Sequence, residues 1–214
     1  MTVSVTVSTH SRVAEDSLSG VLERIAEPYV DLVLWHRTLP AAIIDWLDAS
    51  APDRLPHGRI LVAAAELEAG IATLVPARNG MMQWLAADIA DLARRFAAIA
   101  RTELVDIRLD VIRRDACWRF HRDMVALRLL TTYRGPGTQI PPLDAASRAL
   151  AEQRAYRGPL DELRRGTVAL FRGDPHDEGT GLLHRSPPVA GTDITRLLLC
   201  LNAPSLASPR QWRP

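Results

Sequence analysis

The sequence predicts an α+β protein, mainly helical in its first half and β in its second, with the β part a sandwich or jelly roll. Three observations carry that reading. Leu85, Ile89, Leu92, Phe96 and Ile99 recur along one stretch in alternating steps of four and three, the period of an amphipathic helix. Val105, Ile107, Leu109 and Val111 then alternate with Asp106, Arg108 and Asp110, the period of a half-buried strand. Beyond them, short apolar runs are punctuated by Gly135-Pro136-Gly137, Gly173-Asp174-Pro175, Gly179 and Gly191, and helices followed by a series of short strands belong to α+β architectures.

Taken in order, a short helix from Ser17 is ended by Pro28, and Val30, Leu32 and Leu34 follow as an alternating strand. His36 at its end reads as a surface or satisfied histidine. Pro40 opens a helix over PAAIIDWLDAS, where proline suits the first turn and Ile43, Ile44 and Leu47 form the apolar side. Residues 51–58 form a loop in which His57 has no partner at metal spacing. Arg59 to Val75 is apolar and alanine-rich, so periodicity leaves helix and buried strand both open. The long helix covers about Met81 to Thr102, and the first clear strand Leu104 to Arg113. Later strands are expected at Val125 to Tyr133, Gly166 to Phe171, Gly181 to His184 and Thr195 to Asn202, with a helical insertion near 144–156. The expected organisation is a mainly helical supporting region over 1–103, a β core over 104–202 and a loose tail over 203–214.

Composition narrows the chemistry. With 214 residues, 47% hydrophobic and 24% charged, the chain is long enough to bury a substantial core. A net charge of +1 gives no electrostatic drive toward nucleic acid or an anionic membrane, so neither is expected as a partner. All 26 basic residues are arginine, which excludes a Schiff-base lysine, a phosphate-loop lysine and a lysine general base. No stretch reaches the length of a membrane span, and MTVSVTVSTH lacks the basic start and apolar run of a secretion signal. A cytoplasmic location is the expectation, with Cys117 and Cys200 as thiols. The sequence shows no internal repeat and no low-complexity segment, and it does not specify an oligomeric state.

The chemistry concentrates in WRFHRD, GLLHRSP and DITRLLL. Side chains two apart on an extended segment share a face, so His121 and Asp123 can converge on one ion if their segment is extended. His184 from another strand completes two imidazoles and one carboxylate, the facial ligand set of non-haem Fe(II) oxygenases. Arg196 opens the last strong strand, where a guanidinium can hold a dicarboxylate such as 2-oxoglutarate through paired hydrogen bonds. Its bland alternative is a sheet-face arginine paired with Asp110 or another acid. Tyr133 has the parity of His121 and Asp123 and can donate to the same carboxylate, or be a structural tyrosine. Cys117 and His121, with Cys200 or His184, leave a zinc site open, whereas His176-Asp177-Glu178 reads as a solvated turn. His121-Arg122-Asp123 copies a kinase tripeptide, but the lysine and asparagine that a kinase needs are missing.

These residues carry a resemblance. The segment from Leu104 to Asn202 resembles the double-stranded β-helix of the Fe(II)/2-oxoglutarate-dependent oxygenases, with His-x-Asp, a distal His, then Arg on the last strand. Across most of the chain, VDLVLWHR, CWRFHRDMVALRLLTTYRGPGTQ and GLLHRSPP resemble a bacterial family catalogued as a domain of unknown function. The first resemblance implies His121, Asp123 and His184 as iron ligands and Arg196 as the 2-oxoglutarate anchor, with Tyr133 beside it. It implies hydroxylation or desaturation of a small-molecule or side-chain substrate. The alternatives are a non-catalytic metal-homeostasis protein holding zinc or another divalent ion, and a cupin-type metalloenzyme that does without 2-oxoglutarate.

Overall fold

The computed structural model describes residues 13–176 and 181–213. Two short strands begin it: β1 (Val13–Asp16), then, after a 3-10 turn over Ser19–Ala26, β2 (Leu32–Trp35). Helix α1 (Ala41–Ala49) starts directly behind Pro40, as the sequence predicts. The segment that periodicity leaves open divides into strand β3 (Gly58–Ala63) and helix α2 (Leu67–Leu74). Helix α3 (Gly80–Ala100) is the long amphipathic one. The Asn79 side chain accepts from Met82 N at 2.9 Å and caps its start, and Arg101 ends it in the left-handed region at φ 51°. Leu85, Ile89, Leu92 and Phe96 are all fully buried, each such burial being worth roughly 1.5–3 kcal/mol.

The second half supplies β4 (Leu104–Ile112), β5 (Leu127–Arg134), β6 (Gln139–Ile140), helix α4 (Ala146–Glu152), β7 (Asp161–Glu162), β8 (Val168–Arg172) and β9 (Arg196–Asn202). Seven strands form one sheet in the order β1-β2-β8-β5-β9-β4-β3, antiparallel except for β1 with β2. The expectation of a helical first half packed on a β core of its own is therefore corrected. β1, β2 and β3 all precede residue 64 and are strands of the main sheet. β2 is expected as a strand but not as a member of this sheet, and the buried middle of β3 reads as a short apolar run that periodicity leaves open.

Alternation along β4, β5 and β9 divides the residues between two faces. Ile107, Leu109, Leu129, Leu197, Leu199 and Leu201 join α1, α2 and α3 in the main core. On the other face Leu32, Leu34, Leu130, Phe171 and Cys200 meet Ile140 and Leu182 in a smaller core. That second core is roofed by short pieces: β6 pairs with β7, Gln139 bridges Arg185, and His121 bridges His184. The strand expected at Gly181 to His184 is present only as these bridges. Gly135, at φ 79° between β5 and β6, brings the chain close to β9, where a Cβ would stand 2.7 Å from Thr195 O.

Residues 203–213, expected as a loose tail, return to the sheet instead. Gln211 bridges Leu61 of edge strand β3, Trp212 N donates to Leu61 O at 2.7 Å, and the indole packs on the main core. Among the described residues no helix is long and apolar enough to cross a membrane.

Candidate metal centre

His121 and His184 face each other across an antiparallel bridge, with His121 N donating to His184 O at 3.0 Å and His184 N to His121 O at 3.1 Å. Directly opposed residues of such a pair share a face, and the two ring centroids are 4.7 Å apart. Each Nδ1 lies against a carbonyl, His121 at 2.8 Å from Arg119 O and His184 at 3.1 Å from Leu182 O. A carbonyl only accepts, so each Nδ1 carries the hydrogen and each Nε2 presents its lone pair. Both lone pairs turn toward Asp123: His121 Nε2 is 3.8 Å from Oδ1, and His184 Nε2 is 3.5 Å from Oδ2. Ligand atoms of all three lie within 4.8 Å of one another.

The carboxylate of Asp123 is buried and engaged on one side only. Arg128 Nη1 donates to Oδ1, and Arg128 Nε is held by Asn202 Oδ1 at 2.8 Å. Asp123 Oδ2 is buried with no hydrogen-bond partner. An orphaned carboxylate oxygen is costly in such a place, and beside two imidazole lone pairs it completes the donor set of a borderline divalent cation. The residues therefore fit a metal ion. Burial is the main reason that the His184 imidazolium is disfavoured, with Asp123 opposing and His121 assisting; the neutral ring is the form that ligates. Phe171 stacks on His184 at 4.6 Å and fixes the ring from β8.

Arg196 is wholly buried on the same face of the sheet. Its Nε donates to Pro136 O at 2.7 Å and Nη1 to Ser186 Oγ at 2.8 Å, while Nη2 is buried without a partner. Among the described residues no carboxylate pairs with it; Asp110 pairs with Arg108 at 2.8 Å instead. Burial lowers its pKa to about 10, partly offset by Glu162 and Cys117, so it stays charged at neutral pH. Ser186 lines an inner cavity of about 140 Å³ together with His121, His184, Arg128, Thr138 and Leu198.

Tyr133 is not in this group. Residues 113–126 are irregular, so the parity linking it to His121 and Asp123 is lost, and its buried ring sits in the helix-side core with its hydroxyl donating to Asp88 Oδ2 at 2.6 Å. The zinc alternative finds no support either, because neither cysteine joins the one converging group among the described residues. Cys200 is buried, which pushes its thiol up, and Cys117 is exposed. His36 contacts Glu15 at 2.8 Å and His57 contacts Leu55 O at 3.2 Å, away from the centre. Of the loop read as a solvated turn, Asp177 and Glu178 lie outside the described residues. Sequence reasoning missed Arg128 and Ser186, the partners of Asp123 and Arg196. Arg128 had a legible signal, since a lone charge inside VALRLLTTY needs a counter-charge.

Residues 16–202 match the family described as "Protein of unknown function (DUF1826)". No curated protein matches the chain. Among solved structures, AviO1 from Streptomyces viridochromogenes Tue57 is similar at 15% identity and TM-score 0.37, over 85% of this chain and 93% of that one. A prolyl-4-hydroxylase from Pseudomonas putida is similar at 16% identity and TM-score 0.33, over 79% and 97%. EctD from S. alaskensis, solved with 2-oxoglutarate and 5-hydroxyectoine, is similar at 14% identity and TM-score 0.38, over 86% and 78%.

Proposed function

This chain belongs to the DUF1826 family, and from its site we propose that it is a non-haem Fe(II)/2-oxoglutarate-dependent oxygenase, hydroxylating a small molecule or side chain on a double-stranded β-helix. The observation that carries the reading is the pair of orphaned atoms on one face of the sheet. Asp123 Oδ2 stands beside two imidazole lone pairs, and Arg196 Nη2 is a buried cationic donor with no hydrogen-bond partner among the described residues. A metal-storage site would use the first; the second calls for an anion.

His121 and His184 would ligate through Nε2, and Asp123 through Oδ2, with Arg128 reserving Oδ1 so that the carboxylate binds by one oxygen. Arg196, steadied by Pro136 O and Ser186 Oγ, would donate Nη2 to the distal carboxylate of 2-oxoglutarate. Ile112, Leu130 and Leu198 form an apolar wall that limits water in the cavity. Bound Fe(II) would supply activation of dioxygen, with 2-oxoglutarate giving up two electrons and leaving as succinate and carbon dioxide. The large sheet facing a roof of short bridged pieces supports the double-stranded β-helix reading.

The test is an anaerobic titration of metal-free protein with Fe(II) and then 2-oxoglutarate, followed by visible absorption. Chelation of the keto acid gives a charge-transfer band that needs both additions. His121→Ala should abolish it, and Arg196→Ala should keep iron binding while raising the 2-oxoglutarate requirement ~tenfold or more, as expected for losing a charged hydrogen bond. Wild-type protein that binds Fe(II) and shows no response to 2-oxoglutarate would sink the cosubstrate assignment.

A further inference from the structure

The inner cavity is smaller than a substrate site needs. Its volume is about 140 Å³, whereas small-molecule sites typically enclose roughly 300–1,000 Å³. The bulk of any substrate must then sit outside it. Asp110, Ile112 and Ala116 line this cavity and also line a second cleft of about 650 Å³ over the end of β4. The two spaces adjoin across that shared wall, and the outer one is lined further by Arg113, Arg114 and Thr192.

The free charge of this outer cleft is positive. Arg113 and Arg114 are exposed, and neither side chain makes an ion pair or hydrogen bond among the described residues. Two of the nearby acids are engaged elsewhere. Asp110 is paired with Arg108 at 2.8 Å. Asp115 is paired with Arg154 and accepts from Val189 N at 2.9 Å and Ala190 N at 2.8 Å. Asp193, next to Thr192, is exposed and pairs with neither arginine. The Thr192 hydroxyl is turned inward to Val189 O at 2.7 Å. Two guanidiniums without a counter-ion at the mouth of a buried site match a phosphate or carboxylate in charge and in hydrogen-bond geometry.

We propose that this outer cleft is the substrate subsite, and that it takes an organic anion whose phosphate or carboxylate group is held by Arg113 and Arg114. The other end of the molecule passes Ala116 toward His121 and His184. That direction rests on the metal-centre reading; the anion site rests on the cleft alone.

The experiment is calorimetric titration of the metal-free 214-residue chain with phenyl phosphate, benzoate and benzyl alcohol. At least one anion should bind and the neutral alcohol should not, the tighter anion identifying the acid group. The Arg113→Gln/Arg114→Gln variant should weaken that binding ~tenfold or more. The Arg54→Gln/Arg78→Gln variant, with the same charge change at a cleft on the helix side of the sheet, should stay within about twofold, because distant exposed charges are screened. No anion binding by wild-type protein, or equal losses in the two variants, would overturn the proposal. Mn(II) titration of the same preparations by electron paramagnetic resonance keeps the two readings apart. If Mn(II) never binds, the metal centre falls, and the calorimetry still judges the cleft.

Discussion

Asp88, half-buried, and Asp123, buried, are carboxylates each held by an arginine, and they lie on opposite sides of one sheet. Asp88 spends both oxygens: Arg37 donates to each, and Tyr133 adds its hydroxyl to Oδ2 at 2.6 Å. Asp123 spends only Oδ1 and leaves Oδ2 bare. One residue is closed by its neighbours and the other is left open for a ligand. Burial, then the Asp88 charge, raises the Tyr133 phenol well above its ordinary 10.0. The protonated hydroxyl is thus favoured by folding, and its contribution is complete below the unfolded pKa and lost as pH rises above it. Tyr133→Phe should cost roughly 1–3 kcal/mol at neutral pH. It should also flatten the fall in stability above about pH 10, read by chemical denaturation across that range. Mn(II) affinity should be unaltered, since this hydroxyl faces the helices.

Among the elements, the turn leaving β8 is the one that builds the centre. Gly173 N donates to Ala126 O at 3.0 Å and Asp174 N to Asp123 O at 2.6 Å, so this turn holds the backbone of the carboxylate ligand. A Cβ on Gly173 would fall 1.9 Å from Val125 O and 2.6 Å from Asp123 O. Gly173→Ala must therefore push the two segments apart, at about 1–3 kcal/mol for overpacking, and should weaken Mn(II) binding as well. Gly80→Ala is the comparison. It begins α3, where a Cβ would meet nothing within 4 Å, and it should be neutral or stabilise by up to about 1 kcal/mol. Equal Mn(II) affinity in the two variants would show that the turn does not position Asp123.

Over the whole molecule, the sheet separates two tasks. Its helix side carries the main core, and its other side carries the cavity, the ligand residues and Arg196. The last described residues hold both sides of the sheet at its β3 edge: Ser208 Oγ donates to Asp106 Oδ2 at 2.6 Å beside the Arg59–Asp106 pair on the cavity side, and Trp212 packs on the helix-side core and covers the edge of β3. A covered edge also removes a template for unwanted strand pairing. Trp212→Ala should lower stability by roughly 1–3 kcal/mol, from the apolar surface it re-exposes. Metal affinity should hold, and thermal unfolding with and without Mn(II) separates the two effects.

Local periodicity determined the long helix, the strands β4 and β9 and the residue types of the centre, because a helix stripe, an alternating strand and a His-x-Asp spacing are each written within a few residues. It could not determine which sheet β2 and β3 enter, since their partners β8 and β4 lie far along the chain and the apolar run of β3 has no alternation to read. Nor could it choose between the faces for Tyr133, because parity does not survive the irregular segment that ends before β5. The Arg128 clamp on Asp123, the Ser186 partner of Arg196 and the cleft wall shared at Ala116 were decided by the tertiary structure alone, because each depends on how an irregular segment bends back on a nearby strand, and irregular backbone has no period to read.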